Sequence, residues 1–499
     1  MDFLTGLGQG FAVALTPWNL VYAFAGAVIG TAIGVLPGLG TPATIALLLP
    51  VTYKMDPTSA VIMLAGIFYG AMYGGSTTSI LLKIPGEAAS IVTCLDGYEM
   101  ARQGRAGPAL GMSALGSFIA ATLSVLAMSA TAPGLASFAL KFGPAEYASL
   151  VFLGLIMAVY LSEGSAVKGL LMAAVGLVLG TVGIDPVFGA ARFTFGVPQL
   201  MDGVDFVAAG MGLFGIAEVL MNLEAPDVRN VYKTSLRGLL PSRDDWRRSW
   251  AAILRGTGLG FFIGVLPGGG AVISSFVAYA VEKRVSRHPE RFGRGAIEGI
   301  AAPESANNAA STSSFIPLLT LGIPGNASIA MIFVALMIHG IQPGPLLFQQ
   351  HPNLFWGVIA SMYVGNLMLL GLNLPLIGFW VRLLKVPYAY LAVVVVIICI
   401  IGAYSISNTV FDVGVMLVFG VFGYLLRKGG FPAAPLVLAM ILGRILERSF
   451  LQALQVSAAD LSIFIEKPIS AALLSVAALV MLTPAARWLW RQRWAAHGV

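Results

Sequence analysis

Long apolar runs separated by short loops fill almost the whole sequence, and no other feature constrains the fold as strongly. Segments at 107–131, 353–380 and 410–426 approach or exceed the ~20 residues with which a helix crosses a bilayer core. Only 10% of the residues are charged, whereas soluble domains carry about 25%. The runs also lack the short alternating strands of a transmembrane barrel. The sequence therefore predicts an all-α polytopic membrane protein.

Charge and motif content exclude several other classes of protein. The net charge of +6 comes from basic residues in the loops between apolar segments, as the positive-inside rule describes, so we expect membrane lipid rather than nucleic acid as a partner. Cys94 and Cys399 give neither a disulfide framework nor metal-type spacing. The sequence has no P-loop, and we expect no ATPase domain in this chain. Without an H-E-x-x-H or G-x-S-x-G motif, neither an enzyme nor a cofactor is expected.

A hexapeptide, Ile-Gly-Val-Leu-Pro-Gly, occurs at 33–38 and again at 263–268, 230 residues later. Two further pairs recur in the same order: IPGEAAS at 84–90 with IPGNAS at 323–328, 239 residues apart, and the turns Lys141–Pro144 and Lys385–Pro387, about 244 apart. Chance can give one such match in a glycine-rich chain but hardly three in order. The pattern indicates an internal duplication.

The duplication divides the chain into five parts. These are an N-terminal interfacial segment (1–19), a first repeat (20–222), a linker (223–249), a second repeat (250–446), and a C-terminal loop, span and cytoplasmic tail (447–499). The linker is basic and is therefore expected in the cytoplasm. Its basic residues are Arg229, Lys233, Arg237, Arg243, Arg247 and Arg248.

Loop charge also predicts how the two repeats are oriented. The loop at 282–294 is as basic as the linker, so the pair 250–267 and 271–281 enters the membrane and returns to the cytoplasm as a re-entrant hairpin. The corresponding first-half loop, 54–57, has only Lys54 and is expected outside. Inverted-topology repeats of this kind are typical of secondary transporters. Lys141 and Arg192 are minor exceptions on the outer side.

Proline and glycine interrupt the apolar segments at four places, 36–42, 84–86, 266–270 and 323–325. Proline removes a backbone donor and glycine permits tight turns. Non-helical backbone at membrane depth is stable only where protein buries it or where it lines a wet cavity. Four paired breaks therefore predict broken helices around a central site.

Hydroxyl and amide side chains cluster beside these breaks. The candidate substrate- or ion-binding residues of the first half are Pro37, Gly38, Gly40, Thr41, Gly75, Ser76, Thr77, Thr78, Ser79, Lys83, Pro85 and Gly86. Those of the second half are Pro267, Gly268, Gly269, Gly270, Asn307, Asn308, Ser311, Thr312, Ser313, Pro324, Gly325 and Asn326. Helix N-termini at the breaks would attract an anion. Freed carbonyl and side-chain oxygens would suit Na⁺, with Gly75, Ser76, Asn307 and Asn308 as its candidate surroundings. Alternatively, the small residues only allow close helix packing.

Few charged residues lie near the clusters, and each has more than one interpretation. Lys83 either balances a substrate carboxylate or extends to the membrane interface. Glu304 is a gate, a proton site or only an interfacial residue. Glu87 and Asp96 complete this set. His339 is interpreted as a packing or interface residue.

Several long motifs closely resemble the large membrane subunit of tripartite tricarboxylate transporters, the TctA family. They are GTAIGVLPGLGTPATIALLLP, YGAMYGGSTTSILLKIPGEAAS, GVLPGGGA and PESANNAASTSSFIPLLTLGIPGNASIAM. The family motifs transfer to Gly34–Gly40, Gly74–Ser79 with Ile84–Gly86, Gly264–Gly270, and Asn307–Ser314 with Gly322–Asn326. They mark important positions without assigning ligands, and Lys83 lies at none of the fixed motif residues.

The resemblance implies a multi-pass secondary transporter of the bacterial inner membrane. It implies a small four-span membrane subunit and a periplasmic solute-binding protein as partners, a carboxylate substrate such as citrate or another di- or tricarboxylate, and coupling to a Na⁺ or H⁺ gradient. From the paired breaks we further hypothesise an elevator-like alternating-access motion. The alternative is a gated anion channel or pore scaffold without ion coupling.

Overall fold

The computed structural model describes residues 3–36, 40–161, 165–185, 189–224, 238–383 and 388–496. Six helices among them are long and apolar enough to cross a membrane: Pro17–Val35, Pro57–Leu82, Ala106–Ala139, Phe206–Glu224, Pro352–Asn373 and Val410–Lys428. The only strands in the described ranges are the short antiparallel pair β1 (Gly183–Ile184) and β2 (Ala191–Arg192). The prediction of an all-α polytopic membrane protein is confirmed.

Helices make up most of the described chain. In chain order they are α1 (Phe3–Ala14), α2 (Pro17–Val35), α3 (Thr41–Thr52), α4 (Pro57–Leu82), α5 (Thr93–Arg102), α6 (Ala106–Ala139), α7 (Pro144–Tyr160), α8 (Ala166–Gly180), α9 (Phe206–Gly210), α10 (Ala217–Glu224), α11 (Arg243–Val265), α12 (Gly270–Val285), α13 (Glu298–Ser313), α14 (Phe315–Leu321), α15 (Ala327–Ile338), α16 (Leu347–Gln350), α17 (Pro352–Asn373), α18 (Ile377–Leu383), α19 (Tyr388–Ser407), α20 (Val410–Lys428), α21 (Ala433–Val456), α22 (Ile463–Glu466) and α23 (Pro468–Ala496). A π-helical turn, Met211–Ile216, joins α9 to α10, and three 3₁₀ turns lie at Ala88–Ser90, Pro198–Leu200 and Pro289–Arg291.

The chain forms two compact units. The larger comprises Met1–Ser137 and Asp205–Gly429, and it contains all four Pro-Gly breaks. The smaller comprises Phe138–Val204 and Gly430–Val499. In the smaller unit α21 packs against α7 and α8, and Arg192 forms an ion pair with Glu447 at 2.6 Å. The helix α21 extends ten residues beyond the predicted repeat end at 446.

Within the larger unit, α2 lies against α4 at backbone distance. A Cβ added to Gly26, Gly30 or Gly34 would approach an α4 carbonyl closer than 3.0 Å. The carbonyls are those of Met63, Ile67 and Ala71. Glycines four residues apart lie on one helix face and allow such an approach, as in small-xxx-small pairs of membrane helices.

A second helix pair, α11 with α13, is built in the same way. Here Gly256, Gly260 and Gly264 face α13. Their added Cβ atoms would come equally close to the carbonyls of Ala302, Ala306 and Ala310. The two pairs bring α4 and α13, which carry the polar clusters, into contact with each other.

The ends of these helices follow from local sequence. Asp56 precedes Pro57, the first residue of α4, and its carboxylate accepts hydrogen bonds from the backbone N–H groups of Thr58 (2.9 Å) and Ser59 (3.3 Å). This arrangement satisfies donors that a helix leaves free at its N-terminus. The helix ends at Lys83, which adopts the left-handed conformation (φ 60°). The break therefore begins where the chain leaves α4.

Candidate functional site

A buried carboxylate lies where the two helix pairs meet. Glu304 on α13 is completely buried. Its Oε2 accepts hydrogen bonds from the Ser76 hydroxyl of α4 at 2.5 Å and from the Asn307 amide at 3.4 Å, and its Oε1 accepts one from the Thr93 hydroxyl of α5. No described residue forms an ion pair with it. Of the three interpretations given above, an interfacial position is therefore wrong, because the side chain has no exposed surface.

Helix α6 adds a row of hydroxyl groups to this cluster. Ser113 interacts with the Glu304 carboxylate. The Asn308 amide donates to the Ser117 hydroxyl at 2.7 Å and to the Asn307 side-chain oxygen at 2.6 Å. The Oδ1 of Asn308 has no hydrogen-bond partner among the described residues, although the side chain is buried. Buried acceptors of this kind are rare and call for a ligand or a water molecule.

A small cavity lies beside Ser76. Its polar lining comes from Tyr73, Ser76, Thr77, Ser113 and Asn373, and its apolar lining from Leu110, Ala114 and Ile377. The interior has room for about one water-sized particle. The cavity therefore suits a small ion or a water molecule and is too small for a dicarboxylate.

The first-half breaks are joined by side-chain hydrogen bonds. Thr41, at the start of α3, donates to the Glu87 carboxylate at 2.7 Å, and Thr78 donates to the Val35 carbonyl at 2.6 Å. Ser79 donates to the Ser90 hydroxyl at 2.8 Å. The first bond joins the chain that follows one break to the chain that follows the other, and the other two hold Val35 and Ser90 against α4.

Backbone contacts complete this region. An added Cβ on Gly86 would lie closer than 3.0 Å to the Gly34 carbonyl and to the Cα of Gly75. Gly40 precedes α3 as its N-terminal flanking residue. Pro37 and Gly38, the predicted hairpin tip, lie outside the described residues.

The second-half breaks meet through the backbone. The Gly268 amide donates to the Gly325 carbonyl at 2.6 Å. Gly268 and Gly270 have positive φ angles of 80° and 46°, which glycine adopts without strain, and the backbone at Gly269 approaches the Ile263 carbonyl. Asn326 accepts from the Ile329 amide at 3.0 Å and caps α15. Pro267 is half-buried and Pro324 is buried.

Other predicted site residues have local partners. The hydroxyls of Ser311 and Thr312 donate to the Asn308 carbonyl, and that of Ser313 donates to Ala310. All three bonds lie within α13, which favours the packing alternative at these positions. Lys83 is exposed, with its ammonium 5.4 Å from the Tyr98 ring centre, and Pro85 is also exposed. Binding of substrate by any of these residues stays a prediction.

Five polar residues of the cluster and the cavity were not singled out from the sequence: Tyr73, Thr93, Ser113, Ser117 and Asn373. Ser113 had a detectable signal, because Ser113 and Ser117 lie four residues apart on one face of an apolar helix. Thr93 and Asn373 are isolated polar residues, and only the tertiary structure brings them to Glu304 and to the cavity.

Asp96, on α5, has a separate structural role. One carboxylate oxygen accepts the backbone N–H groups of Gly293 (2.8 Å), Gly295 (2.9 Å) and Ala296 (2.8 Å). The other accepts the Tyr279 hydroxyl at 2.9 Å. Four donors use the whole carboxylate to fix the loop before α13, so Asp96 is an anchor rather than a ligand for a solute.

Broken helices around a buried polar centre, with six candidate membrane spans among the described residues, define a polytopic membrane protein. The profile of the tripartite tricarboxylate transporter TctA family matches residues 20–438, and the chain belongs to this family. Membership implies the membrane subunit of a tricarboxylate transporter, with partner subunits, in a family of transporters rather than of enzymes.

Two relatives come from Agrobacterium vitis. An uncharacterized 52.8 kDa protein in the TAR-I ttuC' 3' region is 51% identical over 476 residues, which is 95% of each chain. An uncharacterized protein in the TAR-II ttuC' 3' region is 50% identical over 231 residues, covering 46% of this chain and 96% of its own length. No solved structure matches the chain.

Proposed function

We propose that the protein is the substrate-translocating membrane subunit of a binding-protein-dependent importer of di- or tricarboxylates, driven by an ion gradient. It works in the bacterial inner membrane with a small four-span subunit and a periplasmic solute-binding protein. The observation that carries this proposal is the family match over residues 20–438. The geometry of the two helix pairs supports the finer statements.

The glycine contacts support an internal duplication. The glycines of α2 that face α4 are Gly26, Gly30 and Gly34, and those of α11 that face α13 are Gly256, Gly260 and Gly264. Each glycine of the second set lies 230 residues after its counterpart in the first. The carbonyls that these glycines face belong to residues 63, 67 and 71 of α4 and to residues 302, 306 and 310 of α13. Each carbonyl of the second set lies 239 residues after its counterpart in the first. These are the separations of the IGVLPG and IPG motifs. Six contacts with the same two separations are what a duplicated pair of helices would produce.

A contact between α6 and α17 supports a two-fold relation between the halves. The Asn366 amide donates to the Thr122 hydroxyl at 2.8 Å, and these residues are 244 residues apart, as are Lys141 and Lys385. Residues at matching positions meet where a symmetry axis passes. Together with the inverted loop charges, this contact fits inverted repeats with a pseudo-two-fold axis in the membrane plane.

The breaks provide groups that recognise carboxylates. Helices α3, α12 and α15 all begin at a break, and a helix N-terminus offers free N–H groups and the positive end of the helix dipole. Carboxylate groups bind well at such ends. In the proposed site, the substrate lies among these N-termini, and the small cavity beside Ser76 is separate from it.

We further propose that the helices carrying the breaks move relative to the remaining helices, in an elevator-like alternation of access. Cysteine pairs that link a break to a stationary helix should trap the protein in one state and stop uptake. Unchanged uptake by fully crosslinked protein would contradict the motion but not the transport function.

Uptake by vesicles that contain all three components tests the function. With a carboxylate outside and a Na⁺ or H⁺ gradient imposed separately, at least one gradient should concentrate the substrate inside. Omission of the binding protein should abolish this uptake. If the carboxylate only equilibrates, whatever gradient is imposed, the protein is an uncoupled anion channel.

A further inference from the structure

We propose that the cavity beside Ser76 binds one Na⁺ ion through side-chain oxygens of Ser76, Thr77, Ser113 and Asn373, with Glu304 supplying the balancing charge. The inference rests on the proposed function and identifies its coupling ion as Na⁺. It assigns the ion a place separate from the carboxylate substrate.

The size and lining of the cavity select the class of ion. Its interior has room for about one water-sized particle, so an ion that binds there must be small and dehydrated. Its polar groups are hydroxyls and an amide, and such oxygen ligands suit hard cations. A divalent ion is disfavoured because no group of three or more His, Cys, Asp or Glu residues gathers anywhere in the described chain.

Hydrogen bonding orients the Ser76 oxygen toward such an ion. The Ser76 hydroxyl lies 2.5 Å from Glu304 Oε2 and 3.3 Å from the Met72 carbonyl of its own helix, and the shorter contact takes its only proton. A hydroxyl has one donor and two acceptor positions, so its lone pairs remain for the cavity. Ser113 lies between the same carboxylate and the same cavity. The negative charge of Glu304 thereby polarises the Ser76 oxygen of the cavity through a hydrogen bond.

Asn373 provides the strongest indication of a cation site. Its Nδ2 donates to the Leu369 carbonyl at 3.0 Å, which fixes the orientation of the amide. Its Oδ1 is buried and has no hydrogen-bond partner in the described part of the chain. A buried acceptor without a partner is destabilising by about 1–3 kcal/mol, and a Na⁺ ion in the cavity would satisfy it.

Burial disfavours a charged Glu304 carboxylate, so its charged form depends on hydrogen-bond donors and on a cation nearby. The Asn307 amide can only donate to it, and the Ser76 and Thr93 hydroxyls also donate. Hydrogen bonds donated to a carboxylate stabilise its charged form. A charged, buried carboxylate without an ion-pair partner among the described residues needs a nearby cation.

Na⁺ binding by the purified full-length protein tests the site directly. Radioactive Na⁺ binding, together with the thermal unfolding midpoint in Na⁺ against K⁺ or choline at equal ionic strength, should show Na⁺-specific binding in the wild type. Asn373→Leu and Glu304→Gln should each weaken it about tenfold or more, the loss of roughly one good ligand interaction. Asn373→Asp keeps a side-chain oxygen and should retain Na⁺ binding. This variant tests the site even where Asn373→Leu does not fold.

Thr320→Val is the matched control, because the buried Thr320 hydroxyl donates only to the Ile316 carbonyl of its own helix. Its Na⁺ affinity should equal that of the wild type. Absence of Na⁺-specific binding in the wild type would overturn the proposal, as would unchanged affinity in a folded Asn373→Leu protein.

Uptake by the three-component vesicles separates this proposal from the proposed function. Carboxylate uptake that a H⁺ gradient drives and that is independent of Na⁺ would overturn the Na⁺ site and leave the transporter intact. Na⁺ binding that the two variants weaken, in vesicles that take up no carboxylate, would support the site and contradict the transport function.

Discussion

The break at Pro85–Gly86 and the break at Pro324–Gly325 lie at matching places in the sequence, 239 residues apart, but their glycines have different surroundings. Gly86 touches the Gly34 carbonyl and the Cα of Gly75 so closely that a Cβ would fall within 3.0 Å of both. At Gly325, the nearest atom to an added Cβ is the Cα of Pro267, 3.8 Å away.

The residues that follow the two glycines also differ. Glu87 accepts a hydrogen bond from Thr41 across the first break, whereas Asn326 caps the helix that it begins. One backbone plan therefore supports a closely packed, charged break in the first half and a more open, neutral one in the second. The difference indicates that the two breaks have different tasks, and single substitutions can test it.

The largest contrast is expected between Gly86→Ala and Gly325→Ala. The first places a methyl group against two backbone atoms that cannot rotate away, so destabilisation should exceed the ~1–3 kcal/mol of ordinary overpacking. The second adds a methyl group at van der Waals distance and should leave stability nearly unchanged. The stability of both variants is measured as the fraction of protein that remains monodisperse after heating. Equal behaviour of the two variants would show that the breaks are packed alike.

A smaller contrast is expected between Thr41→Val and Asn326→Ala. Thr41→Val removes a hydrogen bond to a carboxylate, an interaction of about 1.5–3 kcal/mol, and the lower end applies because Glu87 has further interactions. Asn326→Ala removes a helix cap, which contributes about 1 kcal/mol to the free energy of unfolding. Thermal unfolding midpoints should rank wild type above Asn326→Ala and Asn326→Ala above Thr41→Val. Thr41→Ser keeps the hydroxyl and should match the wild type, and a reversed ranking would contradict the role of Glu87.

The sequence predicted the helical class, the four breaks and the polar clusters, because hydropathy and Pro-Gly punctuation are local signals. The glycine contacts were also readable, since Gly26, Gly30 and Gly34 have the four-residue spacing of closely packed membrane helices. The partners of Glu304 were not predictable. Ser76 and Thr93 lie 228 and 211 residues away from it, and only the packing of α4 and α5 against α13 brings them together.

Hydroxyl-rich motifs were the least informative part of the sequence. Ser76 and Thr312 both lie in clusters beside breaks, yet Ser76 donates to another helix and Thr312 donates to its own. A serine or threonine in a helix can always bond the carbonyl three or four residues earlier. Residue type and spacing therefore cannot separate a ligand from a packing residue, and the partner atom decides.

The same comparison predicts the smallest effect, at the second-half hydroxyls. Thr312→Val removes only a bond to the Asn308 carbonyl of α13, and that carbonyl keeps the Ser311 hydroxyl as a partner. Stability should change by less than about 0.5 kcal/mol, and carboxylate uptake should stay close to the wild-type rate. Ser76→Ala, by contrast, deprives the buried Glu304 of its hydrogen bond to α4. A hydrogen bond to a charged group contributes about 1.5–3 kcal/mol, so uptake should fall about tenfold or more. Measured in the same vesicles, a loss of uptake in Thr312→Val as large as that in Ser76→Ala would place the second-half hydroxyls in the transport site.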